Sequence, residues 1–462
     1  MKLFSKETYQ ERRNKLKKSF SGGLLLFLGN EESSSNFKDN WYPFRQDSSF
    51  LYFFGLNLPG LVAVIDLDLD VEIIFGDELT TEELIWHGEK PKLRDLAVQV
   101  GISQTRPMKD IGKYLKNGKQ REIHFLPPYR PENTQKLIHW LNISGPRIPA
   151  EASEELIKAV VALRSIKSDE EIAEINRAVN TSVRMHRKVM EQAKPGMKEY
   201  ELLGMVTAEA VAAGGNPSFL PIITVDGQIL HNHNYSNTLT EGKMLLGDFG
   251  AESDMHYAGD ITRTIPVGKK FSAVQKEVYD LVYTAHVSAI QALKPGVRFL
   301  DIHLLACKKL AGGLRDMGLM KGNIDDAVQQ GAHALFFQCG LGHMMGLDVH
   351  DMEDLGEEYV GYTPSLKKSD QFGLKSLRLG KELEQGHVLT VEPGLYFIPQ
   401  LMDQWEANNV HKDYINYGKL ANFRNFGGIR IEDDFLITRD GSSLLGDPLE
   451  SSSQELESLR DR

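Results

Sequence analysis
The sequence predicts a mixed α/β protein of two domains, the second built from two degenerate copies of one α+β unit. Three observations carry this. The 462 residues exceed what one ordinary core encloses. The first 150 or so alternate short apolar runs with turn residues. Beyond them, one pattern of helices, glycines and acids occurs twice, about a hundred residues apart.

Taken in order, Ser5 caps a short helix through about Ser19, and GGLLLFLG, SFLYFFG, LVAVIDL and VEIIFGD read as strands. REIHFLPP at 121–128 adds another strand, and a helix is expected near 132–141. The prolines and glycine of SGPRIPAE place a domain boundary near residue 150, giving domains of 1–150 and 151–462. Ser168 and Glu171 then form a capping box that opens a helix with Ile172, Ile175, Val179 and Val183 on one face. It ends at Lys194-Pro195-Gly196, and a second helix ends at Gly214-Gly215. In the second copy Ser272 and Gln275 form the box, a KPG at 294–296 ends the helix, and the AGG at 311–313 is expected to end the next.

The repeat extends to the strands. GKMLLGDFG places Asp248 six residues after Gly242, and GHVLTVEPG places Glu392 six after Gly386. Each copy then carries another acid on a following strand, Asp260 in AGDITRT and Glu432 in GGIRIEDD. Half-domains that face each other would bring four carboxylates to one centre, where they repel unless protons or cations lie between them. His343, in GLGHMMGLDVHD, adds an imidazole. Oxygen donors with one nitrogen suit Mn2+, and less selectively Fe2+, Co2+ or Zn2+. Four acids can hold two ions, which would acidify a bridging water and polarise a carbonyl. Taken singly, a strand-end acid is more often a solvated group and a histidine more often structural, so the weight rests on the set.

The totals limit the alternatives. A net charge of −11 argues against nucleic-acid binding. Two cysteines, Cys307 and Cys339, form no CxxC pair, so neither a disulfide framework nor a thiolate zinc site is expected, which favours a reducing compartment. The polar N-terminus and the short LLLFL run fit neither a signal peptide nor a membrane span, so a cytoplasmic protein is expected.

The segments GDFG, AGDITRT, GLGHMMGLDVHD, TVEPGLYF and GGIRIEDD, with Asp248, Asp260, His343, Glu392 and Glu432, resemble the pita-bread metallopeptidases of the aminopeptidase P and prolidase branch. YPFRQDSSFLYFFGL and IWHG resemble that branch's N-terminal domain. The resemblance implies an α/β N-terminal domain followed by an α+β pita-bread catalytic domain with an internal pseudo-twofold repeat. It implies two divalent ions, most simply Mn2+: Asp248 on one, Asp260 and Glu432 bridging, His343 and Glu392 on the other. Glu392 would also shuttle the proton to the leaving proline nitrogen. His231 would contact substrate and His350 would bind near the scissile carbonyl, or each would be a hydrogen-bonded loop histidine. Arg430 would orient Asp248. Trp86 would wall a neighbouring subunit's pocket in a homodimer or homotetramer, or be a core residue.

Two departures stand out. The Asp248–Asp260 hairpin is one residue longer than the common family spacing, and Cys339 stands where the family usually has a histidine. The implied substrates are peptides with proline second, and Xaa-Pro aminopeptidase activity comes first. The insert after Glu392, and Arg378 as a carboxylate receptor, keep open a prolidase restricted to Xaa-Pro dipeptides. A catalytically impaired peptide-binding homologue is the third reading, and it predicts lost ligands.

Overall fold
The computed structural model describes residues 2–116 and 121–461 and divides into two compact units. The first comprises Met1–Arg164 with Met352–Tyr359, the second Ser165–Asp351 with Val360–Arg462.

The first unit is built on a five-stranded sheet of β1 (Leu24–Leu28), β2 (Val62–Asp66), β3 (Val71–Phe75), β4 (Gln104–Arg106) and β5 (Ile123–Phe125), in the order β4-β3-β2-β1-β5. The three central strands pair antiparallel, and both edge strands join them in parallel. Alternate residues point to opposite faces. Leu24, Leu26, Val62, Val64, Ile73 and Phe75 therefore form one buried core with Ile111, Leu115 and Leu137. Phe27, on the opposite face, meets Phe53 at 5.2 Å between ring centroids.

SFLYFFG forms no strand. Ser48–Phe54 is a helix, with Asp47 accepting from the Phe50 N–H and Gly55 closing it in the left-handed region (φ 65°). Every residue of the helix is buried, which erases the polar alternation that separates helix from strand in so short a run.

In the second unit, Asp169–Gln192 packs on Glu199–Ala212, and Ala273–Ala292 packs on Phe299–Asp316. The capping boxes of Ser168 with Glu171 and of Ser272 with Gln275 are both formed. The last of these helices runs past the AGG to Asp316. Gly313 permits a close helix approach instead of ending the helix, since a Cβ there would lie 2.3 Å from Leu281 Cδ1.

The strands of this unit are β6 (Ile222–Thr224), β7 (Met244–Asp248), β8 (Thr262–Pro266), β9 (Val388–Val391), β10 (Gly394–Tyr396), β11 (Gly428–Arg430), β12 (Asp433–Ile437) and β13 (Ser442–Leu444). They pair antiparallel as β6-β7-β8, β13-β12-β9 and β10-β11. A bridge between Thr262 and Glu432 joins the first repeat to the second, and it does so between the two acid-bearing segments.

Candidate metal centre and peptide cavity
Asp248 ends β7, Asp260 lies just before β8, Glu392 follows β9, and Glu432 lies between β11 and β12. All four acids thus sit where strands stop and backbone direction can turn a side chain inward. The longer hairpin closes through a turn in which the Ser253 N–H donates to the Tyr257 carbonyl, with His256 at φ 67°.

His343 lies on an irregular segment laid against β9, donating its N–H to Thr390 Oγ1 and accepting the Thr390 N–H. Gly342 allows that approach, because a Cβ there would meet the Thr390 oxygen at 2.0 Å. The segment's far end is held by Lys167, which donates to Asp351 Oδ2 at 2.9 Å in a pair with both side chains about 1 % exposed. His350 lies beside Asp351, and its ring meets that of His343 edge-on at 4.3 Å.

The His343 Nδ1–H donates to the Met344 carbonyl at 3.2 Å, which fixes the ring with Nε2 on the side of the acids. Nε2 lies 3.5 Å from Asp260 Oδ2 and 3.8 Å from Glu392 Oε1. Ligand atoms of Asp260, His343 and Glu432 all lie within 4.8 Å of one another. Thr262 Oγ1 donates to Glu432 Oε2 at 2.7 Å, and the Asp260 N–H donates to Asp434 Oδ2 at 3.0 Å. Asp260 Oδ1 and Glu432 Oε1 are buried and make no hydrogen bond among the described residues. Buried carboxylate oxygens facing one another without donors fit a cation, so the donor set matches the divalent ions its chemistry implies.

The electrostatics agree. Burial, and then the Asp248 charge, hold the Asp260 carboxyl well above its ordinary value. Burial, and then the Asp260 charge, do the same to Glu432. Burial pushes Glu392 up to about 8 against the lowering effect of Arg430. Burial, then Arg430, lowers His231.

These groups line one cavity of about 320 Å³. It brings together Asp248, Asp260, His343, Glu392, Glu432, His231, His350, Arg378, Arg430 and Cys339. Phe219, Leu220, Leu230 and Val349 supply an apolar wall. Trp86 lies on the helix Thr81–His87 of the first unit and is 76 % exposed, so it is no core residue. Cys339 Sγ reaches the Tyr396 hydroxyl at 3.9 Å, and burial pushes its thiol up to about 12.

Three residues of the centre were not singled out from sequence. Thr262 binds Glu432 and accepts from Arg430 Nε at 3.1 Å, Tyr396 accepts from Arg430 Nη1 at 2.7 Å, and Asp434 anchors the backbone of Asp260. Their only signal was position: two residues from Asp260, four from Glu392, two from Glu432.

The model of metallopeptidase family M24 matches residues 173–439, more than half of the chain. The chain belongs to that family. Residues 9–124 match the N-terminal domain of aminopeptidase P. The human Xaa-Pro dipeptidase is 32 % identical over 92 % of this chain and 86 % of its own length. The Xaa-Pro aminopeptidase of Escherichia coli K12 is 31 % identical over 99 % and 98 %. Among solved structures, Escherichia coli aminopeptidase P with the inhibitor Pro-Leu superimposes with a TM-score of 0.80 at 29 % identity, covering 100 % of this chain and 99 % of that one. The Pseudomonas aeruginosa aminopeptidase gives 0.81 at 26 %, with the same coverage. The fold is therefore the pita-bread metallopeptidase fold behind an aminopeptidase P-type N-terminal domain, and the chain is a peptidase of the Xaa-Pro aminopeptidase and prolidase group. Among the described residues no helix is long and apolar enough to cross a membrane.

Proposed function
We propose that the protein is a dinuclear-metal Xaa-Pro aminopeptidase that releases the residue preceding proline from peptides longer than two residues. The metal-hydrolase part rests on one observation: two buried carboxylate oxygens without donors, on Asp260 and Glu432, beside the imidazole of His343. Asp248, Asp260, His343, Glu392 and Glu432 would hold two divalent cations, Mn2+ first among them. When bound, such cations supply Lewis acidity that acidifies a water and polarises the scissile carbonyl.

The protein's own groups do the rest. Glu392, at the cavity wall with its carboxyl raised, can take a proton and pass it to the leaving proline nitrogen. His231 and His350 line the same cavity and position the peptide carbonyl. Arg430 fixes Asp248. The exposed indole of Trp86 is consistent with a homodimer or homotetramer in which it walls a neighbour's pocket.

The aminopeptidase reading is supported by end-to-end similarity to enzymes named as aminopeptidases. Arg378 on the cavity wall favours a second reading, a prolidase whose dipeptide carboxylate pairs with that guanidinium. Metal-stripped protein reconstituted with Mn2+ and given Gly-Pro, Ala-Pro and Ala-Pro-Pro distinguishes them. Release of alanine from Ala-Pro-Pro is expected, cleavage of the dipeptides alone would establish the prolidase, and cleavage of neither would overturn both.

A further inference from the structure
A second cluster of metal-ligating side chains lies outside the catalytic cavity. His303 and Cys307 are four residues apart on the helix Phe299–Asp316, which puts them on one face, and His333 comes from the short 3-10 helix Ala332–Leu335 packed beside it. All three are buried, at 1 %, 0 % and 2 % exposure. One ligand atom from each lies within 4.8 Å of the others, and His303 Nε2 is 3.4 Å from Cys307 Sγ.

The hydrogen bonding of the cluster is incomplete. His303 Nδ1 and both ring nitrogens of His333 are buried with no hydrogen-bond partner among the described residues. A neutral imidazole must carry one N–H and one lone pair, and burying both without partners is costly. Burial holds both rings neutral, lowering His303 to about 3 and His333 to about 4, so their lone pairs are available. Burial also keeps the Cys307 thiol protonated.

We propose that His303, Cys307 and His333 form a structural site for a thiophilic d10 cation, Cu+ or Zn2+, separate from the catalytic centre. Two imidazoles and a thiolate are the donors such cations select over the oxygen-loving Mn2+. Binding forms a metal–sulfur bond at Cys307 and releases its proton, one per cation. The resulting set carries one negative charge and three donors. Cu+ matches both, leaving the site neutral and three-coordinate, whereas Zn2+ would leave one positive charge. The cation would tie the helix Phe299–Asp316 to the segment that leads, ten residues after His333, into His343.

The test uses full-length Cys339→Ser protein, its catalytic centre loaded with Mn2+, so that Cys307 is the sole thiol. It is dialysed against Zn2+, or against Cu+ under reductant, and the retained metal is counted. X-ray absorption then asks whether sulfur is bound to it. One zinc or copper ion per chain beyond the catalytic complement is expected, with a metal–sulfur distance of about 2.3 Å for zinc. The unfolding midpoint should rise with that ion, and both effects should vanish in Cys307→Ser/Cys339→Ser and in His333→Gln/Cys339→Ser. Uptake in one arm but not the other identifies the cation. No additional ion in either arm, or an additional ion without bound sulfur, would overturn the proposal. Metal counting and absorption on the single-thiol protein decide the matter even if the double variants fail to fold.

Discussion
The guanidinium of Arg430 donates from Nη2 to Asp248 Oδ2 at 2.5 Å, while Nε and Nη1 bind Thr262 and Tyr396. Three anchored nitrogens fix the plane of the group, and so fix which oxygen of Asp248 faces the cavity. Arg430→Lys keeps the charge but loses the fork. It should lower kcat/KM and metal affinity by roughly 10- to 100-fold, the usual cost of removing a partner behind a ligand. Isothermal titration with Mn2+ and steady-state kinetics on Ala-Pro-Pro read both, and unchanged values would remove Arg430 from any orienting role.

Substitution of Arg378 tests the dependence on substrate length. It lines the cavity with His231 and His350. If it receives a free carboxylate, Arg378→Ala should weaken action on Ala-Pro by about 1.5–3 kcal/mol, the worth of a charge-assisted bond. Action on Ala-Pro-Pro should change much less. Equal loss on both peptides would show that the guanidinium serves the general shape of the cavity.

The carboxylates of the metal-free centre should contribute a loss of stability as pH rises from about 4.5 to about 8. The folded-state values of Glu392, Asp260 and Glu432 lie above their ordinary ones, so in that window the folded chain holds protons that the unfolded chain has released. Bound cations replace those protons and should abolish the loss. The buried neutral histidines His186, lowered to about 3, and His286, lowered to about 4, act in the opposite sense: their contribution is present above about 6.5 and lost as pH falls. Because neither lines the cavity of the carboxylates, the difference in melting temperature between the Mn2+-loaded and metal-free forms isolates the carboxylates. That difference should grow toward pH 8, and a difference that shrinks would contradict the burial-driven shifts.

Gly342→Ala tests the packing that seats His343. The new Cβ would meet a backbone oxygen of β9, so relief requires a backbone shift. A loss of about 1–3 kcal/mol is expected, as for other overpacked sites. Thermal unfolding of the Mn2+-loaded variant measures it, and a wild-type midpoint would show that the segment can move freely.

Much of the site was legible in the chain because an internal repeat placed the acids. Asp248 and Glu392, and Asp260 and Glu432, occupy equivalent places in two copies, and the folded chain gathers them with His343 around one cavity. Arg430 was legible from its spacing to Glu432. Thr262, Tyr396 and Asp434 were not, because a threonine, a tyrosine and one more acid are ordinary residue types. Their importance comes from cross-strand register, such as Thr262 opposite Glu432, which no local pattern encodes. The helix Ser48–Phe54 and the continuation through Gly312 and Gly313 escaped the sequence reading for related reasons. Complete burial hid the period of the first, and close packing gave the glycines of the second a role other than ending a helix.

The most direct measurement counts bound Mn2+ per chain, and the alanine released from Ala-Pro-Pro, in wild type and in Glu432→Gln. Two ions and rapid release are expected of the wild type. The variant, which loses a carboxylate whose Oε1 has no other partner among the described residues, should bind fewer ions and lose nearly all activity. Two ions and undiminished hydrolysis in Glu432→Gln would contradict the assignment of the metal centre.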